Sequence, residues 1–326
     1  MEQKTIHIAT LADEKFRFGL AVLLRSAINK LDPGSRLSVH VLDTGLSATT
    51  RMKISQTLIK ADARSEIRFF PWRECSAFGE MDTRTRSLGL NSVVALYFAK
   101  MILLEELKDI PWCLYLDADI YVNRDLAGLP LEVLRDFPMA AVDDAGMASF
   151  VAKGAVPEYL AMKLDGSAPN FNGGVMLFDL EDWRTRRRFD AAIETAAVLR
   201  AWGPDDLALN WRLTDQSVFN ILYYRNWAAL PHHWNRQCPT ASGIFGEQRE
   251  GRELLLHYLV SPKPWNMPLS DATQPFFDCL DQTEFAGWRP TGGWVRLRNK
   301  LSYLKYRHGR WREERLKNRV ARKDVK

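Results

Sequence analysis

Pro111-Trp-Cys-Leu-Tyr-Leu-Asp-Ala-Asp-Ile-Tyr-Val-Asn-Arg-Asp125 is the stretch whose reading decides the fold. Trp112 to Leu116 is uncharged, mostly apolar and aromatic, and lacks alternation. Such a run suits a strand covered on both faces of a parallel sheet. It leads into Asp117 and Asp119. In an extended chain, residues i and i+2 point the same way, so the two carboxylates can converge on one cation. Two hard oxygen ligands suit Mg2+ or Mn2+, ions that commonly also hold substrate phosphates. The carboxyl ends of strands are also where open α/β sheets bind ligands. The competing reading is a turn or helix cap, a frequent use of aspartate after a strand.

Working outward, Thr5 to Ala12 reads as a buried strand running into Asp13-Glu14-Lys15-Phe16. A helical pattern follows through Leu20, Leu23, Leu24, Ala27, Ile28 and Leu31, stopped by Pro33-Gly34. Leu37 to Leu42 gives a second strand, Ser47 a helix N-cap, and Glu66 to Trp72 a third strand. This alternation is the signature of a doubly wound parallel sheet. Neither Gly-x-Gly-x-x-Gly after the first strand nor a P-loop is present, so a bound nucleotide requires another device. Asp13 can accept hydrogen bonds from a base or ribose, or equally cap the next helix.

Arg73 to Gly89 reads as a long polar loop, and Asn91 to Leu107 as a helix in which Lys100 sits among apolar neighbours, a snorkelling position on local grounds. Leu126 to Leu134 reads as a turn and short helix, and Pro138 to Val142 as a strand ending in Asp143-Asp144. In Asn170-Phe-Asn-Gly-Gly-Val175, the glycines permit close approach of backbone or ligand, with Asn172 facing it; an ordinary Asn-Gly turn is the alternative. Val175 to Leu180 continues as a strand. Asp215-Gln216-Ser217 opens an apolar helix, Trp227 to Trp234 reads as a strand, and Glu253 to Leu259 is a strand bearing His257. His232 and His233 would face opposite ways if extended and make a poor metal pair.

The chain has 326 residues, 46% hydrophobic and 26% charged, which describes a folded globular protein. The N-terminus lacks a signal-peptide core, no span is long enough to cross a bilayer, and four scattered cysteines read as reduced thiols. A cytoplasmic protein is expected. Residues 286–326 carry fourteen Lys/Arg against three Asp/Glu, a balance of +11 that leaves residues 1–285 at −6 of the net +5. In this tail Trp294, Leu297, Leu301, Leu304 and Trp311 recur near helical spacing between cations. That pattern predicts amphipathic helices on an anionic membrane surface; a solvated extension or a helix packed on the acidic body is the alternative. Nucleic acid is not an expected partner, since the body is acidic and no reader motif occurs.

In order along the chain, Ala12-Asp13-Glu14-Lys15-Phe16, Leu114 to Asp119, Asn170 to Val175, Asp215 to Asn220, and His257-Tyr258 with Lys263-Pro264-Trp265 resemble the motifs of glycosyltransferase family eight. The resemblance implies a GT-A type, Rossmann-like mixed α/β sheet flanked by helices over residues 1–285, with the basic helical tail at 286–326. It implies Mn2+, with Mg2+ as the alternative, between protein and a UDP-sugar diphosphate. By position Asp117, Asp119 and His257 match the metal ligands, and Asp13 the residue contacting uracil. Lys100, Ala118, Asn172, Gly173 and Lys263 match donor-binding positions; Gln216 and Asp215 match catalytic ones. Val260 stands where the family usually has glycine, a departure that bears on the phosphate loop. The implied activity is retaining transfer of glucose or galactose to a lipopolysaccharide, glycolipid or surface-polysaccharide precursor at the cytoplasmic face of the inner membrane. The competing classes are a non-catalytic protein of this fold docking on membranes or a partner, and a metal phosphohydrolase. The latter would need more clustered acids or histidines than the sequence offers.

Overall fold

The computed structural model describes residues 4–87, 98–146, 163–201, 215–238, 255–259, 261–267, 269 and 273–290. Three strands, β1 (Lys4–Ala12), β2 (Ser35–Asp43) and β3 (Glu66–Pro71), alternate with helices α1 (Arg17–Lys30) and α2 (Ala48–Ala61). The Ser47 hydroxyl accepts from the Thr50 backbone N–H, capping α2 as its sequence position predicts, a contact of the kind that contributes about 1 kcal/mol. Strand β4 (Trp112–Leu116) then pairs in parallel with β1.

Beyond β4 the sheet turns from parallel to mixed, as the family resemblance implies. Strand β6 is Met139–Asp143, β7 is Phe171–Asp179, and β8 is Ala228–Ala229. The seven strands lie in the order β3-β2-β1-β4-β7-β6-β8, and β7 runs antiparallel to both β4 and β6. The sheet is therefore mixed. Helices cover both faces, which is why β4 and β7 read as unbroken apolar runs. On one face Ile6 and Ile8 pack with Leu20, Leu23 and Leu24 of α1; on the other Ala9 and Tyr115 pack with Met101, Ile102, Trp183 and Phe219.

Three local expectations change, and a fourth is met as far as the structure describes it. Residues 76–87, expected as loop, form α3 (Ser76–Ser87), with Ala77, Met81 and Thr85 buried on one stripe. The Glu106 carboxylate accepts from the Ser76 hydroxyl and Ala77 N–H, a cap supplied from 30 residues away and so invisible locally. The helix expected from Asn91 is described from Ala99 to Glu106 as α4; residues 91–97 lie outside the described part. Trp227 to Trp234 is not one strand: after β8, Pro231 precedes a 3-10 turn at His232–Trp234. The Leu126–Leu134 segment is likewise two 3-10 turns rather than a turn and a helix.

A second sheet of three short strands carries the functional geometry. Strand β5 (Ile120–Val122) pairs antiparallel with β10 (Leu255–Tyr258), which pairs in parallel with β9 (Arg236–Cys238). His257 is thereby set opposite Ile120, the residue after Asp119, and the Tyr258 N–H donates to the Asp119 carbonyl at 3.1 Å. Helices α5 (Leu180–Thr185), α6 (Arg188–Ala201) and α7 (Asp215–Leu222) follow the main sheet, and α8 (Gln274–Leu280) packs on α1. All four cysteines are free and buried. Past Phe285 the described chain still packs on the body: Trp288 stacks on Phe18 at 3.8 Å and Arg289 forks onto Asp281 at 2.6 and 2.9 Å. Residues 291–326, where amphipathic helices are expected, lie outside the described part.

Candidate metal and donor site

Asp117, Ala118 and Asp119 occupy a turn between β4 and β5, not the pleat of a strand. The Asp117 N–H donates to the Gly174 carbonyl, and Ile120 N–H to the Asp117 carbonyl. Convergence of the two acids thus comes from the turn rather than from i, i+2 alternation. Helix α1 lies against this turn because Gly19 has no side chain: a Cβ there would meet the Trp265 ring at 2.7 Å and the Ala118 carbonyl closer still.

One oxygen of each acid faces the imidazole. Asp117 Oδ2 lies 3.7 Å and Asp119 Oδ1 3.3 Å from His257 Nε2. The other oxygen of each is engaged. Asp117 Oδ1 accepts from the Tyr115 hydroxyl at 2.8 Å and pairs with Lys100 at 3.1 Å. Asp119 Oδ2 accepts from Lys263 Nζ at 2.6 Å, and Lys263 also donates to the Tyr258 carbonyl. Asp119 Oδ1 is buried without a hydrogen-bond partner, a costly condition for a carboxylate oxygen unless something positive faces it. Ligand atoms of the three residues lie within 4.8 Å of one another. Two carboxylate oxygens and one imidazole nitrogen form a donor set that a divalent ion such as Mn2+ fits.

The electrostatics keep these groups in their roles. Burial pushes the Asp119 pKa up, but His257 and Lys263 outweigh it and hold the carboxyl well below the usual range. Burial favours neutral Lys100, yet Asp117 and Asp215 outweigh it and raise its pKa. Burial, then the nearby Asp117, raises the Tyr115 phenol well above its ordinary value, so it stays protonated and donates.

Lys100 is 6% exposed and does not snorkel. Its ammonium reaches Asp215 Oδ2 at 2.7 Å, Asp117 at 3.1 Å and the Gly173 carbonyl at 2.8 Å. Those contacts use all three of its donors. Gln216 is held at both ends: Oε1 accepts from Gly173 N–H at 3.0 Å, and Nε2 donates to Asp144 Oδ2 at 2.6 Å. Asn172, Gly173 and Gly174 lie inside β7, so the Asn-Gly turn reading does not hold. Gly174 is required there: an added Cβ would stand 2.7 and 2.9 Å from the two nitrogens of the His257 ring, and nearer to its Cε1. Asp13 Oδ1 accepts from the Lys15 and Phe16 N–H groups, which makes it a cap before α1. Lys263, followed by a 3-10 turn at Pro264–Asn266, completes the cluster.

The structure thus gathers Asp117, Asp119, His257, Lys100, Asp215, Gly173, Gln216 and Lys263 into one connected network. His232 and His233 belong to no metal-capable group among the described residues, and Val260 lies outside them. Three supporting residues have little signature in the sequence: Tyr115 reads only as a strand residue, Asp144 only as a strand end, and Asn235 carries no signal.

Comparison with known proteins gives this network a class. The family model described as Glycosyl transferase family 8 matches residues 7–267, and the chain belongs to that family. General stress protein A of Bacillus subtilis (strain 168) is 23% identical over 291 residues, covering 85% of this chain and 92% of the relative. Lipopolysaccharide glucosyltransferase WaaO of Escherichia coli (strain K12) is 23% identical over 269 residues, covering 81% and 74%. Among solved structures, the WbbM bifunctional glycosyltransferase matches with a TM-score of 0.66 and 19% identity, over 86% of this chain and 50% of that one. Galactosyltransferase LgtC, solved with donor and acceptor sugar analogs, matches with a TM-score of 0.61 and 19% identity, over 85% and 96%. The fold is of the GT-A type, as the five ordered motifs imply.

Proposed function

We propose that this protein is a retaining hexosyltransferase that moves glucose or galactose from a UDP-sugar to a lipopolysaccharide, glycolipid or surface-polysaccharide precursor. The observation that carries the reading is the meeting of Asp117 Oδ2, Asp119 Oδ1 and His257 Nε2 around an oxygen that has no hydrogen-bond partner. These three would hold Mn2+, which when bound supplies positive charge to the diphosphate as it departs. Lys263, which donates to Asp119 at 2.6 Å, would add a second positive charge to stabilise the departing diphosphate. Lys100 and the Gly173 peptide contribute to donor binding by holding Asp117 and Asp215 in place; direct contact of Lys100 with the donor requires it to release one partner. Asp13 and Ala118 would line the nucleotide end, and Asn172 the sugar.

In the transfer step the bond from the anomeric carbon to the diphosphate oxygen breaks, and a bond to the acceptor hydroxyl oxygen forms on the same face. The acceptor's proton goes to the departing diphosphate. Gln216 stabilises and orients the sugar rather than attacking it, because its amide is already fixed by Gly173 N–H and Asp144 and is a weak nucleophile. Asp215 supports it through the Gln216 N–H at 2.9 Å.

Thermal unfolding in the presence of nucleotide sugars, with and without Mn2+, tests the reading. Stabilisation grows with ligand concentration over its dissociation constant, so one UDP-hexose should raise Tm only when Mn2+ is present. A shift given equally by every nucleotide sugar without metal would overturn it.

No helix of the described residues is long and apolar enough to cross a membrane. Residues 286–326, at +11, suit peripheral attachment to the anionic cytoplasmic face of the inner membrane, which would keep a lipid-linked acceptor near the site. The full chain should sediment with phosphatidylglycerol vesicles and a chain ending at Pro290 should not. Equal sedimentation of the two would discard the anchor.

A further inference from the structure

Asn235 connects His257 to the main sheet, and the connection bears on which ring nitrogen is available. One group in the chain of contacts has a role that cannot be exchanged. The backbone N–H of Gly174 can only donate, and it lies 3.0 Å from the side-chain amide of Asn172. The Asn172 atom it meets must therefore be Oδ1. That same oxygen meets the side-chain amide of Asn235 at 2.9 Å, and two oxygens would repel there, so the Asn235 atom is Nδ2. The other end of the Asn235 amide is then Oδ1, an acceptor, and it stands 3.1 Å from His257 Nδ1. A nitrogen facing an acceptor at that distance carries a proton. Nε2, 3.3 Å from Asp119 Oδ1 and 3.7 Å from Asp117 Oδ2, can share a proton with those oxygens or give its lone pair to a cation between them, and the Asn235 contact favours the second by keeping the neutral ring's one proton on Nδ1.

We propose that Asn235 is a positioning residue. Through the relay from Gly174 N–H to Asn172 to Asn235 it holds His257 as the Nδ1–H tautomer, with Nε2 directed at the two aspartates. The relay is dry: Asn235 is 1% exposed, Asn172 6% and His257 4%. Without water to replace a missing partner, each donor and acceptor in it is obligatory. Partners of this kind commonly set the ring orientation and ligand basicity of a metal-binding histidine. The relay also assigns Asn172. Its oxygen is committed to Gly174 and Asn235, so only its Nδ2 end is left as a donor for a sugar hydroxyl. Asn235 lies directly after the 3-10 turn at His232–Trp234, and β9, which begins one residue later, pairs with the strand bearing His257. The position that carries the acceptor is thus set by the same small sheet that carries the ligand.

The inference rests on His257 as a ligand, and the test separates the two claims. The ring nitrogens of His257 are observed by 15N-detected proton correlation on metal-free protein, at a pH where the ring is neutral, and Mn2+ affinity is measured by calorimetry. Wild type should carry its proton on Nδ1. N235L, which keeps the branched side-chain shape but offers no acceptor, should populate both tautomers and bind Mn2+ about 10- to 100-fold more weakly. N172D keeps an oxygen toward both Gly174 N–H and Asn235 Nδ2 and should retain the Nδ1–H tautomer. A wild-type ring protonated on Nε2 would overturn the relay, and so would N235L with unchanged tautomer and affinity. The wild-type measurement decides the question even if N235L fails to fold. A wild-type ring protonated on Nδ1 in a protein that binds no Mn2+ would uphold the relay and overturn the metal reading.

Discussion

Replacing Asp119 by asparagine is expected to lower sugar transfer by about three orders of magnitude, and Mn2+ should no longer raise Tm in the presence of donor. The magnitude follows from the several kcal/mol of charge stabilisation a metal supplies to a leaving group, at 1.36 kcal/mol for each tenfold in rate. The substitution is nearly isosteric, so Lys263 keeps an oxygen acceptor at 2.6 Å while the site loses one negative charge. A partly buried lysine without its carboxylate is itself unfavourable, which should lower the stability of the metal-free protein as well. Asp117→Asn should show the same metal defect with a second consequence, because Asp117 also balances Lys100 at 3.1 Å. Steady-state transfer and Mn2+-dependent thermal shift check both variants. Survival of the metal-dependent shift in either one would mean that the ion is held elsewhere.

Gly174→Ala is expected to be the most damaging small change on β7. The new methyl would lie 2.7 Å from His257 Nδ1 and 2.9 Å from Nε2, closer than side chains tolerate. The Gly174 backbone is fixed at both ends, its carbonyl accepting from Asp117 N–H and its N–H donating to the Asn172 side-chain Oδ1, so the ring must move. Moving it withdraws Nε2 from both acids and separates Nδ1 from Asn235. The expected outcome is a loss of about 1–3 kcal/mol in stability, together with loss of Mn2+ binding. Gly173→Ala provides the contrast. A Cβ there meets Gln216 Cβ at 3.4 Å, an ordinary contact, so stability and Mn2+ binding should be kept. Denaturant unfolding and calorimetry on the pair read the difference; equal behaviour of the two variants would show that the His257 ring is not constrained as described.

The sequence carries much of this site, but unevenly. Asp117 and Asp119 are legible because a buried apolar strand ending in two acids is a local pattern. The helix cap at Ser47 and the alternation of β1 to β3 with helices are local in the same sense. His257 joins the acids through long-range pairing: β10 lies against β5, more than 130 residues earlier, opposite Ile120. No periodicity announces that pairing, and only the order of motifs along the chain links the three residues. Gly173-Gly174 reads as a site of close approach or as a turn on local grounds, and the sequence cannot choose between them because what approaches, an imidazole seated on Gly174, lies on another strand. Helix α3 is misread because its first turn is capped by Glu106. Lys100 looks like a snorkelling residue from its neighbours in sequence, whereas Asp117, Asp215 and the Gly173 carbonyl surround it in space. Asn235 is invisible for the same reason: its partners Asn172 and His257 are 63 and 22 residues away.

Crystals of the full chain grown with Mn2+ and UDP, measured at a wavelength where manganese scatters anomalously, test the central claim most directly. A single anomalous peak should be coordinated by Asp117, Asp119 and His257 Nε2 and shared with the diphosphate of UDP. A manganese peak bound to the diphosphate alone, with His257 turned away from both acids, would contradict it.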